Sequence, residues 1–226
     1  MRSPDFIIPG AMKAGTTVLL SMLSQHPKIK TVALKYGEVH FFDNGPRYKT
    51  KGIDWYRGLF DIPGKVTGEK SPRYMANPWA MILMERHCPD TKLIITLRDP
   101  VIRFISCRTM SGHTNPKARA DSFWRGCYAA QLELIFNLFD RKNIHVLFNE
   151  DMREDTEGEI QKIHEFLGLE KAPVKVVKRS RNTGEGERWD PLKERLIPRY
   201  RPFNERLIQL LPENEKQISR WLGMKG

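Results

Sequence analysis

A carboxylate and an imidazole, Glu38 and His40, form the first pair in this sequence suited to acid–base chemistry. On an extended segment these two side chains point to one side, whereas those of Val39 and Phe41 point to the other. A carboxylate and an imidazole that converge from one edge can move a proton during a reaction. The alternative is a surface glutamate beside a histidine with only local hydrogen bonds, because such pairs are common by chance.

Lys70 is a second candidate for chemistry. It ends a short strand-like stretch, since Ser71 and Pro72 break the chain directly after it. An ammonium group at that place can project into a site at the carboxyl end of a strand. The alternative is a lysine in solvent.

A glycine-bounded loop near the N-terminus is suited to bind phosphate. The apolar run 6–9 predicts a strand, the loop spans Gly10 to Gly15, and a helix is predicted from Thr16 onward. A helix N-terminus attracts anions, because its first N–H groups lack partners and its dipole is positive there.

The loop differs from the loop that binds nucleoside triphosphates, in which a lysine precedes the final serine or threonine. Gly10, Gly15 and Thr17 occupy matching positions, but Thr16 replaces the lysine, and a lysine stands inside the loop as Lys13. The pattern predicts a phosphate loop other than that of an ATPase. The alternative is that the glycines only form a tight turn between a strand and a helix.

A third candidate group follows the buried strand predicted at 92–97. Arg98 leaves the end of this strand, and Ser106 lies about two turns into the helix that follows. A guanidinium and a hydroxyl can jointly hold a second phosphate. The alternative for Arg98 is an ion pair with Asp99 or a role at the helix cap.

Composition limits the class of protein. The chain has 226 residues, of which 40% are hydrophobic and 29% charged, as in an ordinary folded protein. Its net charge of +11 favours anionic partners, which are nucleotides, nucleic acids, acidic polysaccharides or membrane surfaces. No apolar stretch approaches the roughly 20 residues of a membrane span, and no signal-peptide region is visible. Cys88, Cys107 and Cys127 lack metal or disulfide spacing, which predicts core residues in a reducing compartment.

The order of the elements predicts an α/β fold. Strands and helices alternate through residue 168, so we expect a mostly parallel central sheet flanked by helices, with ligands at the carboxyl ends of the strands. We expect a single domain over residues 1–226. Polar loops are predicted at 44–52 and 110–120. Helices are predicted at 121–139, from 151 to 166, at 205–211 and at 213–222. The basic run 178–186 is either a phosphate contact or a solvated loop.

Four segments together resemble the sulfotransferase family that uses 3′-phosphoadenosine-5′-phosphosulfate (PAPS). Residues 9–17 resemble the loop of that family for the 5′-phosphosulfate, and residues 97–106 resemble its 3′-phosphate motif. Residues 38–42 and 68–72 are similar to the branch that sulfates heparan chains. The similarity extends from about residue 4 to residue 211, and the order and spacing of the motifs make it specific.

The resemblance implies a P-loop-like nucleotide-binding fold and a role for each candidate. Glu38 is the implied general base, with His40 assisting it, and Lys70 lies at the reacting centre. The implied contacts of the 5′-phosphosulfate are Lys13, Ala14, Gly15, Thr16 and Thr17. The implied contacts of the 3′-phosphate are Arg98 and Ser106. A late loop over the same phosphate would contribute Arg179, Arg181 and Gly184.

The predicted reaction transfers a sulfuryl group from PAPS to an acceptor hydroxyl on a saccharide or small molecule and releases 3′,5′-adenosine bisphosphate (PAP). We expect no metal, because no carboxylate cluster suited to magnesium is apparent, and no nucleic-acid partner or membrane span. The animal heparan enzymes are anchored in the secretory pathway, whereas this sequence predicts a cytoplasmic enzyme. Two alternatives are a small-molecule kinase with a variant loop and a basic nucleic-acid-binding module.

Overall fold

The computed structural model describes residues 2–32, 38–111, 116–177 and 186–223. The chain divides into two compact units. The first contains residues 1–97 and 135–179, and the second contains residues 98–134 and 180–226. The prediction of a single domain over residues 1–226 stays a prediction.

The first unit is built on a five-stranded parallel sheet with the strand order β2-β3-β1-β4-β5. The predicted α/β class, with a mostly parallel sheet flanked by helices, is therefore confirmed. The strands are β1 (Phe6–Gly10), β2 (Ile29–Thr31), β3 (Val66–Lys70), β4 (Lys92–Leu97) and β5 (Ile144–Phe148).

Helices of the first unit cover both faces of this sheet. They are α1 (Thr16–Leu23), α2 (Gly45–Gly58), α3 (Pro78–His87), α7 (Asp151–Glu154) and α8 (Thr156–Phe166). Phe6 and Ile8 of β1 share a core with α1 and α8, because alternate residues of a strand face the same side. On the opposite face, the Tyr56 hydroxyl of α2 donates a hydrogen bond to Glu69 of β3.

The register of β1 against β3 sets the direction of two charged side chains. Ile7 is paired with Glu69, and Ile8 is paired with Lys70. Lys70 therefore lies on the face that α1 covers, whereas Glu69 lies on the face that α2 covers. The side chains of these two adjacent residues thus lie on opposite faces of the sheet.

The second unit is helical. Its helices are α4 (Pro100–Ser111), α5 (Pro116–Trp124), α9 (Asp190–Leu210) and α10 (Glu215–Arg220), and α6 (Tyr128–Leu138) begins in this unit and ends in the first. Its core contains Phe104 and Ile105 of α4 together with Leu196 and Tyr200 of α9. Cys127 is buried in the same core, and Cys88 and Cys107 are also buried, as the sequence predicted.

Two predicted loops are partly helical. The loop predicted at 44–52 is wrong, because α2 begins at Gly45, where Asn44 Oδ1 accepts a hydrogen bond from the Arg47 amide at 3.1 Å. Gly52 has non-helical dihedral angles (φ 71°, ψ 167°) and kinks the helix. The loop predicted at 110–120 is also largely helical, since α4 reaches Ser111 and α5 begins at Pro116.

Three predicted helices have different bounds. The helix predicted at 121–139 is interrupted near Gly126, where a Cβ atom would lie 2.8 Å from the Tyr200 ring. The helix predicted from 151 is divided by Asp155, which caps α8. The helix predicted at 205–211 begins much earlier, at Asp190, and contains Pro198 and Pro202. Both prolines are exposed, so the carbonyl groups that they leave unpaired can bind water.

Candidate active site

The loop between β1 and α1 turns sharply through two residues with positive φ. Lys13 has φ 75° and Gly15 has φ 94°. A side chain at Gly15 is excluded for a second reason, because a Cβ atom there would lie 2.5 Å from Asn149 Nδ2. That nitrogen donates a hydrogen bond to the Ala14 carbonyl at 3.1 Å, so the residue that follows β5 holds the loop in place.

The first turn of α1 presents hydroxyl and amide groups at the end of this loop. The Val18 and Leu19 amides donate to the Gly15 carbonyl, so the amides of Thr16 and Thr17 precede the helical hydrogen bonds. Thr16 is buried, whereas Thr17 is exposed. The combination of a left-handed turn, a helix N-terminus and Lys13 is suited to bind a phosphate or sulfate group.

Lys70 connects this turn with the predicted base. Its ammonium donates to Thr17 Oγ1 at 3.0 Å and to Glu38 Oε1 at 2.7 Å. The side chain is only 1% exposed, so Lys70 is not the solvated lysine of the alternative interpretation. Burial strengthens its interaction with the Glu38 carboxylate, because less water screens the two charges.

Glu38 and His40 meet as the sequence predicted. Glu38 Oε2 lies 2.6 Å from His40 Nε2, while Val39 and Phe41 are fully buried. The segment is not a regular strand, however, because His40 has φ 49° and no strand is assigned at residues 38–43. The predicted pairing is confirmed, since Glu38 and His40 are half-buried and in contact while Val39 and Phe41 are buried. The prediction of an extended conformation at His40 is wrong.

The series of charged groups continues beyond the predicted pair. His40 Nδ1 lies 3.0 Å from Asp43 Oδ2, which is 3.2 Å from Arg73 Nε. Sequence reasoning missed Asp43 and Arg73. In this series of contacts, Lys70, His40 and Arg73 are the cations and Glu38 and Asp43 are the carboxylates. Each carboxylate therefore lies between two cations.

These contacts determine the protonation of Glu38 and His40. The hydrogen bonds that His40 donates to Asp43 and Glu38 raise the pKa of His40 to about 9, although burial opposes the rise. Burial raises the pKa of Glu38, but the hydrogen bonds from His40 and Lys70 outweigh it and hold this pKa below its ordinary value. At neutral pH, therefore, Glu38 is a carboxylate and His40 is an imidazolium.

The second unit contains Arg98 and Ser106, both of which are buried. Ser106 lies on α4, and the Tyr128 hydroxyl donates to the Arg98 carbonyl at 2.8 Å. The Asp99 carboxylate caps α4, since Asp99 Oδ1 accepts hydrogen bonds from the Val101 amide at 2.7 Å and the Ile102 amide at 3.2 Å. Asp99 thus fills the cap position that the sequence left open for Arg98.

Three predicted contacts of the late loop, Arg179, Arg181 and Gly184, lie outside the described residues. Within residues 2–32, 38–111, 116–177 and 186–223, no group of three or more histidine, cysteine, aspartate or glutamate side chains could hold a metal ion. No helix in the described part of the chain is long and apolar enough to cross a bilayer.

The family model for the sulfotransferase domain matches residues 3–183 of this chain. Heparan sulfate glucosamine 3-O-sulfotransferase 6 of Mus musculus is 30% identical over 252 residues, which cover 92% of this chain and 72% of that protein. The human heparan sulfate glucosamine 3-O-sulfotransferase 3B1 is 34% identical over 188 residues. That match covers 74% of this chain and 47% of the human protein, so the chain spans about half the length of this relative.

A solved structure supports the same relationship. The sulfotransferase from Alicyclobacillus acidocaldarius superposes with a TM-score of 0.75 at 27% identity, over 93% of this chain and 96% of that one. The match of the family model over most of the chain agrees with the motifs around the glycine loop, Glu38 and Lys70. The chain therefore belongs to the sulfotransferase family and is a sulfotransferase enzyme.

Proposed function

We propose that this enzyme transfers the sulfuryl group of PAPS to a hydroxyl group of a saccharide, with Glu38 as the general base. The observation that carries the proposal is the hydrogen-bonded series from Thr17 through Lys70 to Glu38. It joins the anion-binding turn to a carboxylate within one unit of the chain. A donor held at the turn and an acceptor beside Glu38 would then be neighbours.

The glycine loop fits the 5′-phosphosulfate end of the donor. Gly15 supplies a left-handed conformation and a close approach to Asn149, which would be lost with any side chain. Lys13, Ala14, Gly15, Thr16 and Thr17 would hold this end through amide, hydroxyl and ammonium groups. When bound, the donor supplies an activated sulfuryl group. Lys13 would stabilise the negative charge that develops as PAP departs, and one such preorganised donor is typically worth about 10²–10³-fold in rate.

Arg98 and Ser106 stay the proposed ligands of the 3′-phosphate. A guanidinium recognises phosphate by charge-assisted hydrogen bonds, and a hydroxyl can add one more. Arg179, Arg181 and Gly184 keep their proposed place in the loop that contacts the same phosphate.

Glu38 is a better candidate for the base than His40. Both ring nitrogens of His40 face carboxylates, Nδ1 towards Asp43 and Nε2 towards Glu38, and its pKa is raised to about 9. An imidazolium at neutral pH has no lone pair with which to accept a proton. Glu38 is ionised and 24% exposed, so an acceptor hydroxyl can reach it. His40 would hold Glu38 in position, and Asp43 would hold His40.

Lys70 would stabilise negative charge at the reacting centre. Its ammonium is already within hydrogen-bonding distance of Thr17 and Glu38. Since sulfuryl transfer needs in-line alignment and charge stabilisation more than covalent help, a buried cation between the donor turn and the base suits it.

The names of the relatives point to the class of acceptor. The mouse and human relatives are named as heparan sulfate glucosamine 3-O-sulfotransferases. The net charge of +11 is suited to an acidic polysaccharide. We therefore propose a saccharide hydroxyl as the acceptor. The cytoplasmic location stays a prediction.

Incubation of the enzyme with PAPS labelled in the sulfuryl group tests the proposal. Heparan-type oligosaccharides, neutral saccharides and simple alcohols would serve as acceptors, in the presence of EDTA. We expect label transfer to a saccharide and tight binding of PAP. An absence of both with every acceptor would contradict the proposal. Magnesium-dependent turnover of ATP, measured in parallel, would instead support the kinase alternative.

A further inference from the structure

The backbone that carries Glu38 and His40 is held by side chains rather than by a neighbouring strand. Each amide from residue 39 to residue 42 donates to a side-chain oxygen of Glu69, Ser71 or Tyr74. We name these three residues the cradle. The four contacts are Val39 N to Glu69 Oε2 (3.4 Å), His40 N to Ser71 Oγ (2.9 Å), Phe41 N to Tyr74 Oη (2.7 Å) and Phe42 N to Tyr74 Oη (3.4 Å).

Glu69 sets the direction of the hydrogen bonds in the cradle. It is fully buried, and it accepts hydrogen bonds from the Ser71 hydroxyl at 2.6 Å and the Tyr56 hydroxyl at 2.9 Å. Because the single proton of Ser71 is directed to Glu69, the lone pairs of Ser71 Oγ are left for the His40 amide. Burial raises the pKa of Glu69, and the hydrogen bonds from Ser71 and Tyr56 oppose this rise.

The conformation of His40 requires such support. A histidine with φ 49° lies in the left-handed region, which a residue with a side chain keeps only when its surroundings hold it there. A slip of this backbone by one residue would exchange the buried and exposed side chains of the segment. It would move Glu38 away from Lys70.

We propose that Glu69, Ser71 and Tyr74 are positioning residues of the reaction. They fix the backbone of residues 39–42 and so hold the Glu38 carboxylate between Lys70 and His40, without contact to either substrate. The catalytic half of this proposal rests on the proposed function of Glu38. The structural half, that the cradle orders the segment, does not.

Packing of the Tyr74 ring is a competing explanation for its burial. The ring lies edge-on to Phe42, with centroids 5.6 Å apart. Tyr74→Phe separates the two roles, because it keeps the ring and removes only the hydroxyl. Tyr48→Phe is a matched control. The Tyr48 ring lies in the same aromatic cluster, 5.3 Å from Phe41, but its hydroxyl contacts His87 Nε2 at 2.8 Å.

Hydrogen exchange tests the structural half without any assay of activity. In Tyr74→Phe and Ser71→Ala, we expect the amides of residues 39–42 to exchange about 3- to 10-fold faster than in the wild type, as the loss of one hydrogen bond implies. Tyr48→Phe should leave these amides unchanged. Equal exchange rates in Tyr74→Phe and the wild type would overturn the proposal.

Kinetics test the catalytic half. A misplacement of about 1 Å can cost about 10²-fold in rate, so we expect Tyr74→Phe and Ser71→Ala to lower kcat by up to that factor. The dissociation constant of PAP should not change, since the glycine loop is untouched, and Tyr48→Phe should keep the wild-type kcat. A fall in kcat matched by weaker PAP binding would indicate general destabilisation and overturn the positioning role. If the wild type transfers no sulfuryl group, the proposed function fails. Hydrogen exchange still tests whether the cradle orders residues 39–42.

Discussion

The Lys70 ammonium lies 2.7 Å from Glu38 Oε1 and is only 1% exposed, although the two residues are far apart in the sequence. The same ammonium donates to Thr17 Oγ1, in the first turn of α1. The charge state of the proposed base is therefore coupled to the proposed donor site. A change at Lys70 should affect both the rate of transfer and the pH at which transfer fails.

Lys70→Gln should move the acidic limb of the pH–rate profile. Hydrogen bonding and charge from Lys70 lower the pKa of Glu38, so their removal raises this pKa, and the ionised base is lost at a higher pH than in the wild type. The pH dependence of kcat/KM measures the shift. Lys65→Gln is the matched control, because Lys65 is exposed and its ammonium donates to the Pro27 carbonyl rather than to Glu38. An unchanged acidic limb in Lys70→Gln would disprove the coupling.

His40 should make the stability of the protein depend on pH. Its folded pKa of about 9 exceeds its ordinary value of 6.5. The stabilisation is fully present below pH 6.5 and is lost as the pH rises through about 9. Urea unfolding of the wild type and His40→Gln across this range gives the difference in unfolding free energy, which should shrink with rising pH. A constant difference would mean that the pKa of His40 is the same in the folded and the unfolded protein, which would contradict the raised pKa.

Gly15→Ala should destabilise the protein more than Gly168→Ala. Both glycines have positive φ, so each substitution costs about 1–2 kcal/mol for the left-handed conformation. Only at Gly15 does the new Cβ atom meet another residue, Asn149, at 2.5 Å, while nothing lies within 4 Å at Gly168. Thermal unfolding measures the loss of stability, and PAP titration should show weaker binding for Gly15→Ala alone. Equal behaviour of the two variants would contradict the close packing of the loop.

Arg98→Ala should chiefly weaken nucleotide binding. Loss of a hydrogen bond to a charged group is worth about 1.5–3 kcal/mol, which is about 10- to 100-fold in the dissociation constant of PAP. Arg86→Ala, at an exposed position on α3, is the control. Calorimetric titration with PAP and with adenosine 5′-monophosphate separates the role of the 3′-phosphate. If Arg98→Ala weakens both ligands equally, Arg98 does not contact the 3′-phosphate.

Local patterns were enough to predict the parallel sheet and the loop from β1 to α1. The apolar runs of β1, β4 and β5 and the glycines of the loop carry strong signals within a few residues. The spacing of Glu38 and His40 also predicted that their side chains meet, because alternate residues share one side of an extended chain.

Contacts between distant segments were not predictable in this way. Asp43 contacts His40 where the backbone of His40 is left-handed, and no strand pattern implies that conformation. Asn149 had a usable signal, since it follows β5 directly and the ends of parallel strands share one edge. The early start of α9 at Asp190 was not predicted. A proline usually interrupts a helix, but Pro198 and Pro202 lie exposed within α9, and the helix packs through its buried side.

The central claim is that Glu38 accepts the proton of the acceptor hydroxyl during sulfuryl transfer. Its most direct test is the rate of label transfer from PAPS by Glu38→Gln, measured beside the dissociation constant of PAP. Glu165→Gln, at an exposed position of α8, is the control. We predict that Glu38→Gln loses about 10²–10⁴-fold in turnover and binds PAP as the wild type does. Wild-type turnover in Glu38→Gln would contradict the claim.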